Sequence, residues 1–144
     1  MKARKGFTLI ELLIVMAIIA ALMAVLIPMA TGAMKKAKAT KVAVQLRNFE
    51  QGVEQYVLST LPAANDLSDI KAASITDAGF AEDPGVDSLN LEDGGNNKIR
   101  ITIVYTADDA ALAELIKGSL KDAYEVSIND AVITMVSTVD AFWW

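Results

Sequence analysis

The sequence predicts an α+β protein: a long N-terminal helix, half of it hydrophobic, packed on a small antiparallel sheet head. Three observations carry this reading. Leu12 to Ala30 are 19 consecutive uncharged residues interrupted only by Pro28. Beyond them Val42, Leu46, Phe49, Val53 and Tyr56 recur at spacings of 4, 3, 4 and 3, one apolar stripe on a helix. Late in the chain, three segments alternate apolar and polar residues between turn-forming Asn, Asp and Gly.

Composition narrows the function classes. The 144 residues suffice for one domain of ordinary size, and the formal net charge of −5 argues against general nucleic-acid binding. There is no cysteine, hence no disulfide framework, thiol nucleophile or thiolate metal site. There is no histidine either, which removes the commonest general base and metal ligand. The charges segregate. Residues 7 to 47 hold one acid and five bases, a net of +4; residues 48 to 144 hold 17 acids and five bases, a net of −12. This division fits a solvated basic patch beside an acidic surface, and it also fits contacts between the acidic body of one copy and the basic stem of another.

The opening segment admits three readings. Leu12 to Ala30 spans about 28 Å as a helix, close to the roughly 30 Å hydrocarbon core, so it can be a plain membrane anchor. Lys2, Arg4 and Lys5 before it suit a secretory signal cut near Ala30 or Ala33, although the apolar run exceeds the ~7–15 residues such signals use. Third, it can be an anchor processed before the apolar run. Three bases precede the run and four lysines follow it, so positive-inside counting does not decide the topology. An ionised Glu11 near hydrocarbon costs about 2.5–3.5 kcal/mol and calls for a partner.

The stretch KGFTLIELLIVMAIIAALMAVLIP resembles the start of bacterial type IV pilins and of the related pseudopilins of type II secretion. The likeness covers about the first 50 residues. It implies that a prepilin peptidase cuts between Gly6 and Phe7 and N-methylates Phe7, with the leader in the cytoplasm and the head outside. It further implies that Glu11 meets the Phe7 amine of a neighbouring subunit, setting axial register in a helical homopolymer built by an inner-membrane assembly platform. Glu11 follows Phe7 by four residues, so both can lie on one helix face. A mature chain from Phe7 carries ten bases and 18 acids, a net of −8.

Pro28 removes a backbone donor and should kink the helix, with Gly32 loosening it further. The amphipathic continuation should bury its stripe on a sheet, directing Lys41, Arg47, Glu50 and Glu54 elsewhere, and end near Thr60 before Pro62. Residues 61 to 97 read as an irregular connection with one short helix starting at Asp66 or Ser68, and turns at Asp83-Pro84-Gly85 and from Asp93 to Asn97. KIRITIVYT, residues 98 to 106, is a strand. Thr106 with Asp109 resembles a capping box opening a helix that buries Leu112, Leu115, Ile116 and Leu120. AYEVSI and AVITMVST flank Asn129-Asp130 as a hairpin, giving a three-stranded sheet. Of the terminal aromatics, Phe142 is assigned to intramolecular packing, whereas Trp143 and Trp144 are candidates for either an exposed contact or cover of the sheet edge.

The chain thus divides into a leader (1–6), a membrane or filament-core helix (7–34), its amphipathic continuation (35–60), a connecting loop (61–97) and a sheet head with one inserted helix (98–144). Lys35, Lys36, Lys38, Lys41 and Arg47 are the candidate stem contacts. No catalytic site or cofactor is expected. Asp83, Asp87, Glu92 and Asp93 could offer oxygen ligands to calcium, but their spacing matches no loop motif. The function implied is a structural subunit of a type IV pilus-like filament, stored in the inner membrane and then assembled outside the cell. The alternatives are a major pseudopilin of a periplasmic secretion piston, a secreted binding domain with a cleaved signal and, more distantly, a membrane-anchored enzyme using carboxylates.

Overall fold

The computed structural model describes residues 6–144; residues 1–5 of the leader lie outside them. Helix α1 spans Leu9–Thr60. The chain separates into two compact units, one ending at Lys35 and one running from Lys36 to Trp144, and α1 supplies residues to both.

In the first unit every residue from Gly6 to Lys35 is exposed. The segment is long and apolar enough to cross a membrane. Pro28 lies inside the continuous helical span. Its ring removes the donor that the Ala24 carbonyl would otherwise accept, and Thr31 Oγ1 bonds back to the Pro28 carbonyl at 3.0 Å.

In the second unit the predicted stripe is realised. Val42, Leu46, Phe49 and Val53 are buried, joined by Ala39, Ala43 and Val57. They pack on a four-stranded antiparallel sheet of order β1-β2-β4-β3, made of β1 Ser88–Gly95, β2 Lys98–Thr106, β3 Glu125–Asn129 and β4 Val132–Asp140. Leu89, Leu91, Ile99, Ile101, Ile103, Ile133, Met135 and Val139 point into the shared core. The register follows the period of two: Leu91 opposes Ile101, and Ile103 opposes Met135.

The fourth strand corrects the reading of 61–97 as a connecting loop. SLNLEDGG offers only two apolar positions among residues poor at forming strands, and β1 exists through its pairing with β2. Asn96 and Asn97 form the two-residue hairpin turn with φ of 56° and 58°, a left-handed geometry that Asn tolerates. The short helix expected at Asp66 or Ser68 is a 3₁₀ turn over Ala64–Asp69 followed by α2, Ala72–Asp77. Helix α3 covers Ala110–Leu120, and its N-cap is Asp109, not Thr106. The Asp109 carboxylate accepts from the Leu112 N–H at 2.7 Å, the reach of a side chain at the capping position itself. Leu112, Ile116 and Leu120 are buried as expected, but Leu115 is exposed.

The C-terminus also departs from expectation. Phe142, assigned to packing, is 74% exposed. Trp143 and Trp144 instead pack on the core, each indole N–H donating to the Pro62 carbonyl at 3.0 Å. Asn97 Nδ2 donates to the Trp144 carbonyl, also at 3.0 Å. An indole gives both apolar area and a donor, so it covers the end of α1 while satisfying a carbonyl past its last turn.

Among the glycines, Gly52 has the tightest surroundings. A Cβ there would lie 2.5 Å from the Ala81 Cβ and 3.0 Å from the Phe80 carbonyl oxygen. Gly52→Ala is therefore expected to lower the unfolding free energy of the detergent-solubilised chain by about 1–3 kcal/mol. Gly118, in α3, has nothing within 4 Å of its would-be Cβ, so Gly118→Ala is expected to raise it by about 0.5–1 kcal/mol. Urea titrations followed by tryptophan fluorescence measure both, and equal effects of the two substitutions would contradict this account of Gly52.

Candidate functional site

The first turn of α1 forms a reciprocal cap. The Thr8 N–H donates to Glu11 Oε2 at 2.8 Å, and the Thr8 hydroxyl donates to the same oxygen at 3.0 Å. The Glu11 N–H returns a bond to Thr8 Oγ1 at 3.3 Å. Thr-Leu-Ile-Glu is the capping-box pattern, a signal present in the sequence that a reading centred on Glu11 alone passes over. Thr8 thereby holds the carboxylate at the helix start, where the macrodipole favours an anion. Oε1 has no hydrogen-bond partner among the described residues. Phe7 is 90% exposed. Among the described residues nothing lies within 4 Å of a Cβ built on Gly6.

The five basic stem residues do not act as one set. Lys38 pairs with Asp108 in the β2–α3 connection, and the hydrogen bond and charge of Asp108 raise its pKa. Arg47 Nη2 donates to the Ser119 carbonyl at the end of α3. These two make contacts within the subunit. Lys35, Lys36 and Lys41 are exposed.

Glu50 overturns another expectation. It is not directed to solvent but is 3% exposed, with Oε2 accepting from the Tyr124 hydroxyl at 3.0 Å. A buried carboxylate needs such a donor. Burial, followed by the charge of Glu50 and the bond to it, pushes the Tyr124 phenol up to about 12. Burial and then Glu50 raise the Glu54 carboxyl above its ordinary value.

The acidic loop does not gather its carboxylates. Asp83 Oδ1 accepts from the N–H groups of Gly85 and Val86, Asp93 Oδ1 from that of Gly95, and Glu92 faces Arg100 at 3.5 Å. Among the described residues no group of three or more Asp, Glu, His or Cys side chains could hold a metal ion.

Comparison with known proteins places this geometry. The model of the prokaryotic N-terminal methylation motif matches residues 1–27. Two proteins named fimbrial protein, both from Pseudomonas aeruginosa, are 31% identical over 143 residues, covering 99% of this chain and 85% of theirs. The type IV wide pilus major component PilA4 of Thermus thermophilus is 54% identical over 56 residues, 39% of this chain and 43% of its own. No solved structure matches the chain.

The raised groups have a consequence at high pH. An unfolded chain releases the Tyr124 proton near pH 10, whereas the folded one holds it to about 12. The contribution of Tyr124 to stability is therefore complete below pH 10 and lost as pH rises through 12. Glu54 has the same sign at lower pH: folding holds a proton the unfolded chain has released, so its contribution falls as pH rises past the ordinary carboxylate range. A phenolate absorbance titration of the folded protein is expected to show a late step that Tyr124→Phe removes. Persistence of that step in the variant would assign it to another tyrosine.

Proposed function

The chain belongs to the type IV pilin family, a family of structural subunits and not of enzymes, and we propose how its N-terminus is processed and used. A prepilin peptidase cuts between Gly6 and Phe7 and N-methylates the new amine. The mature subunit is held in the inner membrane by the apolar half of α1. An assembly platform then extracts it into a filament in which the same apolar surface packs against other copies.

One observation supports this above the others: no residue from Gly6 to Lys35 is buried within the chain. An apolar helix in that state must be hidden by lipid or by protein. Either environment does so with the same side chains, so storage and assembly share one surface. Pro28 and Gly32 weaken the helix within that segment and supply the place for it to bend during packing.

Glu11 supplies the register. Removing residues 1 to 6 takes away Lys2, Arg4 and Lys5 and creates the Phe7 amine. Thr8 occupies one carboxylate oxygen, and the other is available to the amine of a neighbouring copy. An ion pair in a water-poor helix bundle favours the one axial offset that forms it, because other offsets leave the charge unpaired. The relatives named for fimbriae and for a pilus favour a surface filament over a periplasmic secretion piston.

The N-terminal sequence and intact mass of the protein from its native cells test the processing. A start at N-methylated Phe7 is expected, and a start near residue 31 to 37 would make the apolar run a discarded export signal. Glu11→Ala is expected to cut sheared surface filaments about tenfold or more while the processed subunit persists in the membrane fraction. Undiminished filaments in that variant would remove Glu11 from assembly.

A further inference from the structure

We propose that a cleft beside Glu50 and Glu54 receives the Lys41 ammonium of a second copy of this chain, and that the contact repeats from copy to copy. The proposal rests on the filament reading above and names a specific surface within it.

The cleft exists because two neighbouring strands differ in length. β3 ends its pairing at Glu125 opposite Val136, while β4 continues to Asp140. Ser137 and Thr138 therefore run past the start of β3 with no β3 partner on that side. Helix α1 borders the gap with Glu50, Gln51 and Glu54, leaving a cavity of about 470 Å³. An unpaired strand edge of this kind is where a second chain can dock.

The chemistry of the lining calls for a cation. Glu50 and Glu54 turn their carboxylates to the cleft, and no lysine or arginine lines it; Glu125, paired with Val136, directs its side chain to the other face of the sheet. Arg47, one turn before Glu50, has donated to the Ser119 carbonyl. Tyr124 satisfies one oxygen of the buried Glu50. Ser137 Oγ, also at the cleft wall, is buried without a hydrogen-bond partner. Burial and then the neighbouring Glu50 raise the Glu54 carboxyl above its ordinary value.

Lys41 has the complementary position. It is exposed and forms no ion pair among the described residues. Nine residues separate it from Glu50 and thirteen from Glu54. At about 100° per residue these spacings put Lys41 on the opposite face of α1 from both acids. A parallel copy shifted by about 14–20 Å brings its Lys41 level with them. Donor and acceptor on opposite faces make a heterologous contact, which leaves one of each free and so propagates into an open filament. Lys36, fourteen and eighteen residues from the same acids, lies on their own side of the helix and cannot serve this geometry.

Charge exchange in the full chain, expressed in its native cells, tests the proposal. Lys41→Glu and Glu54→Lys are each expected to lower sheared filaments about tenfold, with the processed subunit in the membrane fraction unchanged, and the double variant to recover most of the loss. Single variants that assemble normally, or a double variant no better than either single, would overturn it. Cross-linking gives a second readout that does not depend on repulsion. Because the chain has no cysteine, filaments of the Lys41→Cys, Glu54→Cys double variant are expected to give a ladder of covalent multimers with a short bis-maleimide. Monomers alone from intact filaments would overturn the contact while leaving the filament reading standing, whereas a wild-type chain that forms no filaments would overturn both.

Discussion

The exposure of the apolar first half of α1 is the constraint from which the rest follows. That segment presents Leu, Ile, Val and Met on every side, and none of its described residues is buried. A helix hydrophobic all round is stable only in lipid or in a protein bundle, so the molecule is built to be incomplete. Its backbone is self-sufficient, because helical hydrogen bonds close within the segment. Its side chains are not. The same incompleteness makes a single acid at the start informative: Glu11 is tolerable in such surroundings only with partners, and Thr8 supplies the first of them.

The second half of α1 meets the opposite requirement. It serves as the central element of the soluble core, and the close approach at Gly52 lets the chain at Phe80 and Ala81 lie against its backbone. A helix with one face on a sheet should carry its charges on the other, and Lys41 obeys this. Glu50 does not. Its burial is sustained by Tyr124, 74 residues away, and leaves negative charge concentrated where β3 stops short.

The basic stem illustrates the same division of labour. Arg47 ties α1 to the end of α3, whereas Lys38 meets Asp108 at the exposed surface. Exposed pairs such as Lys98 with Asp140 add little to stability, being solvated on both sides. The tryptophans fix the opposite end of the helix through Pro62, a role that an exposed contact would have forfeited.

The sequence by itself determined what depends on neighbouring residues. The apolar run, its single acid and the Gly6-Phe7 junction are contiguous, and the 4-3-4-3 stripe and the alternation of Ile99, Ile101 and Ile103 are periodicities that local backbone geometry imposes. The capping box at Thr8 and Glu11 was legible in the same way. Tertiary structure alone decided the rest. β1 has weak strand residues and forms because β2 offers it a template. Asp109 rather than Thr106 caps α3 because the turn after β2 sets where the helix begins. Glu50 turns inward, Lys38 and Arg47 are captured, and the tryptophans fold back while Phe142 does not, each through partners 70 or more residues distant. Such pairings leave no local period to read, because they are chosen by which polar groups the closed core would otherwise leave unsatisfied.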